Sequence, residues 1–199
     1  IVAVDAETDG VNGFTELKKV LGVDTFTIGA STYAIVTSIA DNGVQIIDVS
    51  DPTDIVAVDA ETDGVNGFTV LDEARDVDTF VIGASTYAVV TAKADDGVQI
   101  IDVSDPTDIV AVDSLVDSGS LELDGAVSVD TFVIGSSTYA IVASRGDDGV
   151  QIIQLSTETG TETGVTIGKG VTTSLSESIS LTDSTVTKVG ISLSENVSF

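Results

Sequence analysis

The chain has 199 residues, of which 33 are acidic and 7 basic, for a net charge of −26. The seven cations (Lys18, Lys19, Arg75, Lys93, Arg145, Lys169 and Lys188) are scattered, whereas nucleic acid needs a clustered footprint, so a polyanion partner is excluded and an anionic membrane surface disfavoured. Cys, His, Met and Trp are absent, which rules out a thiol nucleophile, a zinc cluster, a Ser–His pair and a disulfide framework.

What remains is an apolar fraction of 42%, ample for a packed core. The acidic coat suits a saline setting or divalent cations. Neither an initiator Met nor a signal or membrane span is present, and the chain opens inside a repeat, so it is read as a processed product or an excerpt of a longer gene.

Ile1 to Asp5 (IVAVD) is read as the outer strand of a unit whose other strands lie elsewhere. Asp5, Glu7 and Asp9 follow, with Gly10 behind them, and the pattern returns as Asp59, Glu61, Asp63 and Gly64. Carboxylates at positions 1, 3 and 5 before a glycine match the start of a calcium loop, because hard Ca²⁺ takes several oxygens around a sharp turn. Position 12 is Glu16 in the first copy but Val70 in the second, and the third copy (Asp113, Leu115, Asp117) lacks the position-3 ligand. An acidic, solvated turn after a strand is the competing reading. Phe14, Leu17 and Leu21 have helical spacing, but the equivalent FTVLDEARD (68–76) does not, so this segment is expected to be a loop with a buried hydrophobic anchor.

The most regular stretch runs from Val77 to Pro106. Thr79 to Gly83 (TFVIG) is a short β-branched and aromatic run, and Tyr87 to Ala94 (YAVVTAKA) is a second. Asp95-Asp96-Gly97 is a turn, with Gly97 expected to supply positive φ. Val98 to Ser104 (VQIIDVS) forms a third run, which Asp105-Pro106 ends because Pro cannot donate to a ladder. Ile109 to Asp113 (IVAVD) makes a fourth. Four short strands with tight connections predict an antiparallel meander, and apolar residues on both strand faces predict sheets covered on both sides.

Copies start at Thr25 and Thr131, and IVAVDAETDGVNGFT begins at both Ile1 and Ile55. A period of about 50 residues carrying four strands is the mark of propeller blades. The expected fold is therefore all-β, with four-stranded antiparallel blades in repeats 1–54, 55–108 and 109–156. TETGTETG (157–164) reads as a linker. Residues 165–199 alternate Ser/Thr with apolar residues, as a strand with one dry face would, and are expected to complete the third blade, extend as a stalk or pair with a neighbour's sheet edge.

The DTFVIG-ASTYAVV-DDGVQIIDVSDPTD pattern resembles the LVIVD-type repeats of β-propeller proteins over residues 1–156. The tail SLSESISLTDSTVTKVGISLSENVSF resembles the repetitive tails of large surface proteins of marine ammonia-oxidising archaea. These resemblances imply propeller blades in an extracellular or cell-surface protein. Three copies and a leading strand fall short of the six to eight blades usual for such rings.

Other repeated residues read as structural. Asp41-Asn42-Gly43, Asp95-Asp96-Gly97 and Asp147-Asp148-Gly149 suit hairpins. Tyr33, Tyr87 and Tyr139 share one phase and suit inter-blade packing. Asp48 and Asp102, replaced by Gln154, interrupt apolar strands and need backbone donors. Asn196-Val197-Ser198 is a glycosylation sequon compatible with secretion.

The function expected is that of a non-enzymatic surface protein that assembles into a filament or lattice through open sheet edges and its tail. The alternative is a calcium-dependent adhesion or ligand-binding module using Asp5, Glu7, Asp9, Asp59, Glu61 and Asp63. Deviations from the repeat, such as Gln154 and Arg145, supply no acid–base pair, and fold alone does not argue for an enzyme.

Overall fold

A computed structural model describes residues 1–155, and the linker and Ser/Thr-rich tail expected at 157–199 lie outside the described residues. Eleven strands are found among the described residues, with no helix. They are β1 (Val20–Ile28), β2 (Ser31–Ser38), β3 (Gly43–Asp48), β4 (Val56–Thr62), β5 (Ala74–Ile82), β6 (Ser85–Ala92), β7 (Gly97–Asp102), β8 (Val110–Val116), β9 (Ala126–Ile134), β10 (Ser137–Ser144) and β11 (Gly149–Leu155). Every pairing between neighbouring strands is antiparallel. The sheets run β1-β2-β3-β4, β5-β6-β7-β8 and β9-β10-β11, giving two complete four-stranded propeller blades and one blade with three described strands.

Each blade begins earlier than its sequence suggests. The second starts at Ala74 rather than Thr79, because a register shift between Ala74 and Val77 breaks the alternation. The extra residue of this bulge lets Ala74 and Val77, three apart, both reach the core. The first hairpin turn of each blade has a glycine at positive φ in its first central position (Gly29, Gly83 and Gly135, 63–65°), the geometry that follows strand twist.

The acidic turns correct one expectation. Positive φ falls on Asn42, Asp96 and Asp148 (53–58°), not on the glycine that follows. Gly43 and Gly97 are needed for another reason: a Cβ there would run into the Glu61 or Leu115 carbonyl of the fourth strand. Asn and Asp tolerate the left-handed region better than other residues with a Cβ, so the φ requirement can move one residue upstream.

The cores lie between blades. One unites Phe26, Ile35, Val44 and Ile46 of the first blade with Ala74, Val77, Ala88, Val90, Ile101 and Ile109 of the second. Its counterpart joins Phe80, Val89 and Val98 to Ala126, Val129, Ala140 and Val142 of the third. Fully buried side chains of this size contribute roughly 2 kcal/mol each, so blade stacking stabilises strands that hydrogen bonding alone would leave marginal. The loop anchors behave as expected: Phe14 and Phe68 are fully buried although no helix surrounds them. Tyr33, Tyr87 and Tyr139 stack on Phe26, Phe80 and Phe132 of the neighbouring strand at 5.5–5.6 Å.

Candidate assembly interface

The acidic residues singled out in the sequence are spread along the blade junctions, each engaged as an acceptor. Asp59 takes the Ala60 N–H at 2.9 Å through Oδ1 and reaches the Ile109 N–H, in the next blade, at 2.9 Å through Oδ2. Asp5 repeats this, accepting from Ala6 and Ile55 at the same distances. Glu7 and Glu61 each hold an asparagine amide, Asn12 Nδ2 at 3.2 Å and Asn66 Nδ2 at 3.1 Å. Asp9 and Asp63 accept from the Leu17 and Leu71 N–H groups. Among the described residues no three acidic side chains converge in an arrangement able to hold a metal ion. These carboxylates fix the loop between blades, since ionised acceptors make strong hydrogen bonds with backbone and amide N–H groups.

Two further contacts repeat at each junction, always with the acceptor on the earlier blade. Asp24 Oδ2 accepts from Thr79 N at 2.8 Å, and Asp78 Oδ2 from Thr131 N at 2.7 Å. Asn42 Oδ1 accepts from Glu73 N at 3.1 Å, and Asp96 Oδ1 from Gly125 N at 2.8 Å. Asp48 and Asp102 stay within their blades, accepting from Ser50 N and Ser104 N at 2.8 Å as anticipated.

Sequence reading did not single out Gln45 and Gln99, both buried. Gln45 accepts from Thr15 N at 3.0 Å and donates to Asp59 O at 2.7 Å; Gln99 accepts from Thr69 N at 3.2 Å and donates to Asp113 O at 2.7 Å. Each ties the third strand to the bulge in the fourth and to the loop that precedes the blade. The signal was a polar residue repeated inside VQII, where an amide survives burial only with its partners met.

Glu16 is the least comfortable carboxylate. Its Oε1 accepts from Thr62 Oγ1 at 3.0 Å, while Oε2 is buried without a partner. Burial, helped by the nearby Asp41 and Asp9 charges, pushes its pKa up to about 7.

Among the described residues the two ends of the stack carry no further blade. On the first blade, the face equivalent to the one the second blade turns to the first carries a buried cluster of Phe14, Ala34, Val36 and Ile47, with Val20 exposed at 49%. Val23 is 62% exposed there, whereas its counterpart Val77 is 4% exposed. On the third blade, Val150 is 60% and Ile152 47% exposed, whereas Val98, the second-blade equivalent of Val150, is 1% exposed. Strand β11 has no partner on its outer edge among the described residues. Ile1 to Asp5, expected to be an outer strand, makes no strand pairing among the described residues.

No family model and no curated protein matches the chain. Similar solved structures include an exo-β-1,3-galactanase from Phanerochaete chrysosporium with galactose, at 14% identity and a TM-score of 0.52 over 79% of this chain and 39% of that one. The same enzyme with β-1,3-galactotriose gives 15% identity and a TM-score of 0.52 with the same coverage. A functionally unknown protein from Desulfotomaculum acetoxidans aligns at 8% identity, a TM-score of 0.44, 67% of this chain and 41% of that one. The chain thus spans about two fifths of the length of the structures it matches. At these identities the likeness to the galactanase speaks for the fold alone.

Proposed function

We propose that this chain is a non-enzymatic, extracellular structural protein that assembles with itself through the open ends of its blade stack. The observation that carries the reading is the exposed apolar side chains at two unlike ends, Val23 on the first blade and Val150 on the third, whose counterparts Val77 and Val98 are buried inside the chain. Exposed apolar surface of this kind and an unpaired sheet edge are both templates for association. Because the two ends differ, their contact is head-to-tail, and such contacts close into rings or extend as filaments. An extracellular setting fits the acidic composition and the resemblance to surface-protein repeats and tails.

The test is the solution mass of the 199-residue chain, measured by light scattering across roughly a hundredfold range of concentration. Mass rising with concentration, or fibres, is the expected result. A single subunit mass and a compact radius throughout would overturn the proposal.

A further inference from the structure

We propose that the third blade is completed by residues Ile1–Thr8 of a second copy, which supply its fourth strand and lead directly into a first blade stacked on the third. This rests on the self-assembly reading above and assigns its contact.

Sequence identity within the chain names the occupant. Ile1–Thr8 reads IVAVDAET, and so does Ile55–Thr62, which contains the fourth strand β4. The matching strand β8 closes the second blade, while β11 shows the same kind of edge with nothing on it among the described residues. The register transfers from the first blade. There Gly43 pairs with Thr62, Gln45 with Ala60, Ile46 with Asp59 and Asp48 with Val56. The equivalent pairs are Gly149 with Thr8, Gln151 with Ala6, Ile152 with Asp5, and Gln154 with Val2 of the second copy.

The loop that follows the donor strand is held as its counterpart is in the next repeat. Gly10 N bonds Phe14 O at 2.7 Å as Gly64 N bonds Phe68 O, and Asp5 binds Ile55 as Asp59 binds Ile109. Residues 5–14 therefore lie on the first blade as residues 59–68 lie on the second, but among the described residues no sheet lies beneath Ile1–Val4. Val4 is 60% exposed, whereas its counterpart Val58 packs against the core between the first two blades.

The acceptor side has a matching vacancy. A cavity of about 240 Å³ is lined by Phe80, Ile82, Ile100, Val112, Ile153 and Leu155 among others. At the preceding junction the equivalent residues are Phe26, Ile28, Ile46, Val58, Ile101 and Val103, and there Ile109 and Ala111 of the fourth strand pack among them. Ile1 and Ala3 of the donor correspond to Ile109 and Ala111 and would fill that space.

The polar groups at the open end await the same partner. Among the described residues Gln151 Nε2 bonds only Ile152 O, at 3.0 Å, where Gln45 and Gln99 also reach the carbonyl of the fourth-strand aspartate. The donor's Asp5 carbonyl restores that bond. Asp113, Asp130 and Asp148 continue the three acceptor series, and their donors would be Ile1 N, Thr25 N and Lys19 N of the second copy. One placement therefore satisfies the edge, the cavity and three repeated contacts.

The absence of native cysteine allows a direct test in the full chain. Val2→Cys with Gln154→Cys, after oxidation, should give a ladder of covalently linked chains on a non-reducing denaturing gel. Val2→Cys with Val150→Cys, out of register, should give no ladder. Asp48→Cys with Val56→Cys, the same pair inside the first blade, should close an intrachain bridge and so verifies that the geometry admits a disulfide. Deleting residues 1–8 should abolish the concentration-dependent rise in mass. Assembly that persists in the deletion and yields no in-register ladder overturns this contact while leaving self-assembly standing. A monomer at every concentration, as when the chain's own later residues cover β11, overturns both.

Discussion

Glu16 occupies a position where the following repeat has Val70, and the exchange of an apolar side chain for a carboxylate has a pH signature. Its folded pKa, about 7, lies above the ordinary value of 4.5. A raised carboxyl means the folded state binds more protons than the unfolded one between those values, so stability falls as pH rises from 4.5 through 7 and levels off above. At one pKa unit per 1.36 kcal/mol, reduced for partial solvation, Glu16→Gln should gain roughly 2 kcal/mol on the alkaline side. The gain should vanish below pH 4.5, where both side chains are neutral. Urea unfolding of both proteins across this range measures it, and a pH-independent difference would show that Glu16 titrates normally.

At the scale of the strand, two kinds of glycine do different work. Gly83 sits at φ 65° in a hairpin turn with no atom within 4 Å of an added Cβ, so Gly83→Ala meets only backbone strain, roughly 1 kcal/mol. Gly97 has no unusual φ, but its Cβ would strike Leu115 O and approach Val116 Cα at 3.0 Å. Gly97→Ala must part β7 from β8 and should cost about 3 kcal/mol. Thermal melts of the two variants should rank them in that order. The reverse order would mean that the fourth strand yields easily, which would also weaken the case for a strand donated from outside.

For the whole molecule, the net charge of −26 opposes every encounter between copies, while the apolar end faces favour it. Like-charge repulsion is screened within a Debye length of about 10 Å at 0.1 M salt. Association should therefore strengthen as sodium chloride is raised from low to physiological concentration, by roughly tenfold in apparent affinity. Light scattering at fixed protein concentration reads this directly. Weakening with salt would instead point to contacts made by ion pairs, although the described salt bridges, Glu73 with Arg75 and Lys93, lie within one blade.

The repeat, the antiparallel meander and the all-β class were legible in the chain because β-branched runs, turn residues and a period near 50 are local signals read without knowing what touches what. The buried Phe14 and Phe68 were legible for the same reason: an apolar residue recurs inside a polar loop. Where each carboxylate of the DAETDG loops points was not. Side-chain type at positions 1, 3 and 5 suits a cation equally well as a row of N–H donors, and only the tertiary structure brings Ile55 N to Asp5 and Ile109 N to Asp59. The bulge that starts each blade early was hidden because it breaks the alternation by which strands are recognised. Sequence determined the blade; the tertiary structure decided the junctions, because a junction is made of residues about 50 positions apart whose contact no local pattern encodes.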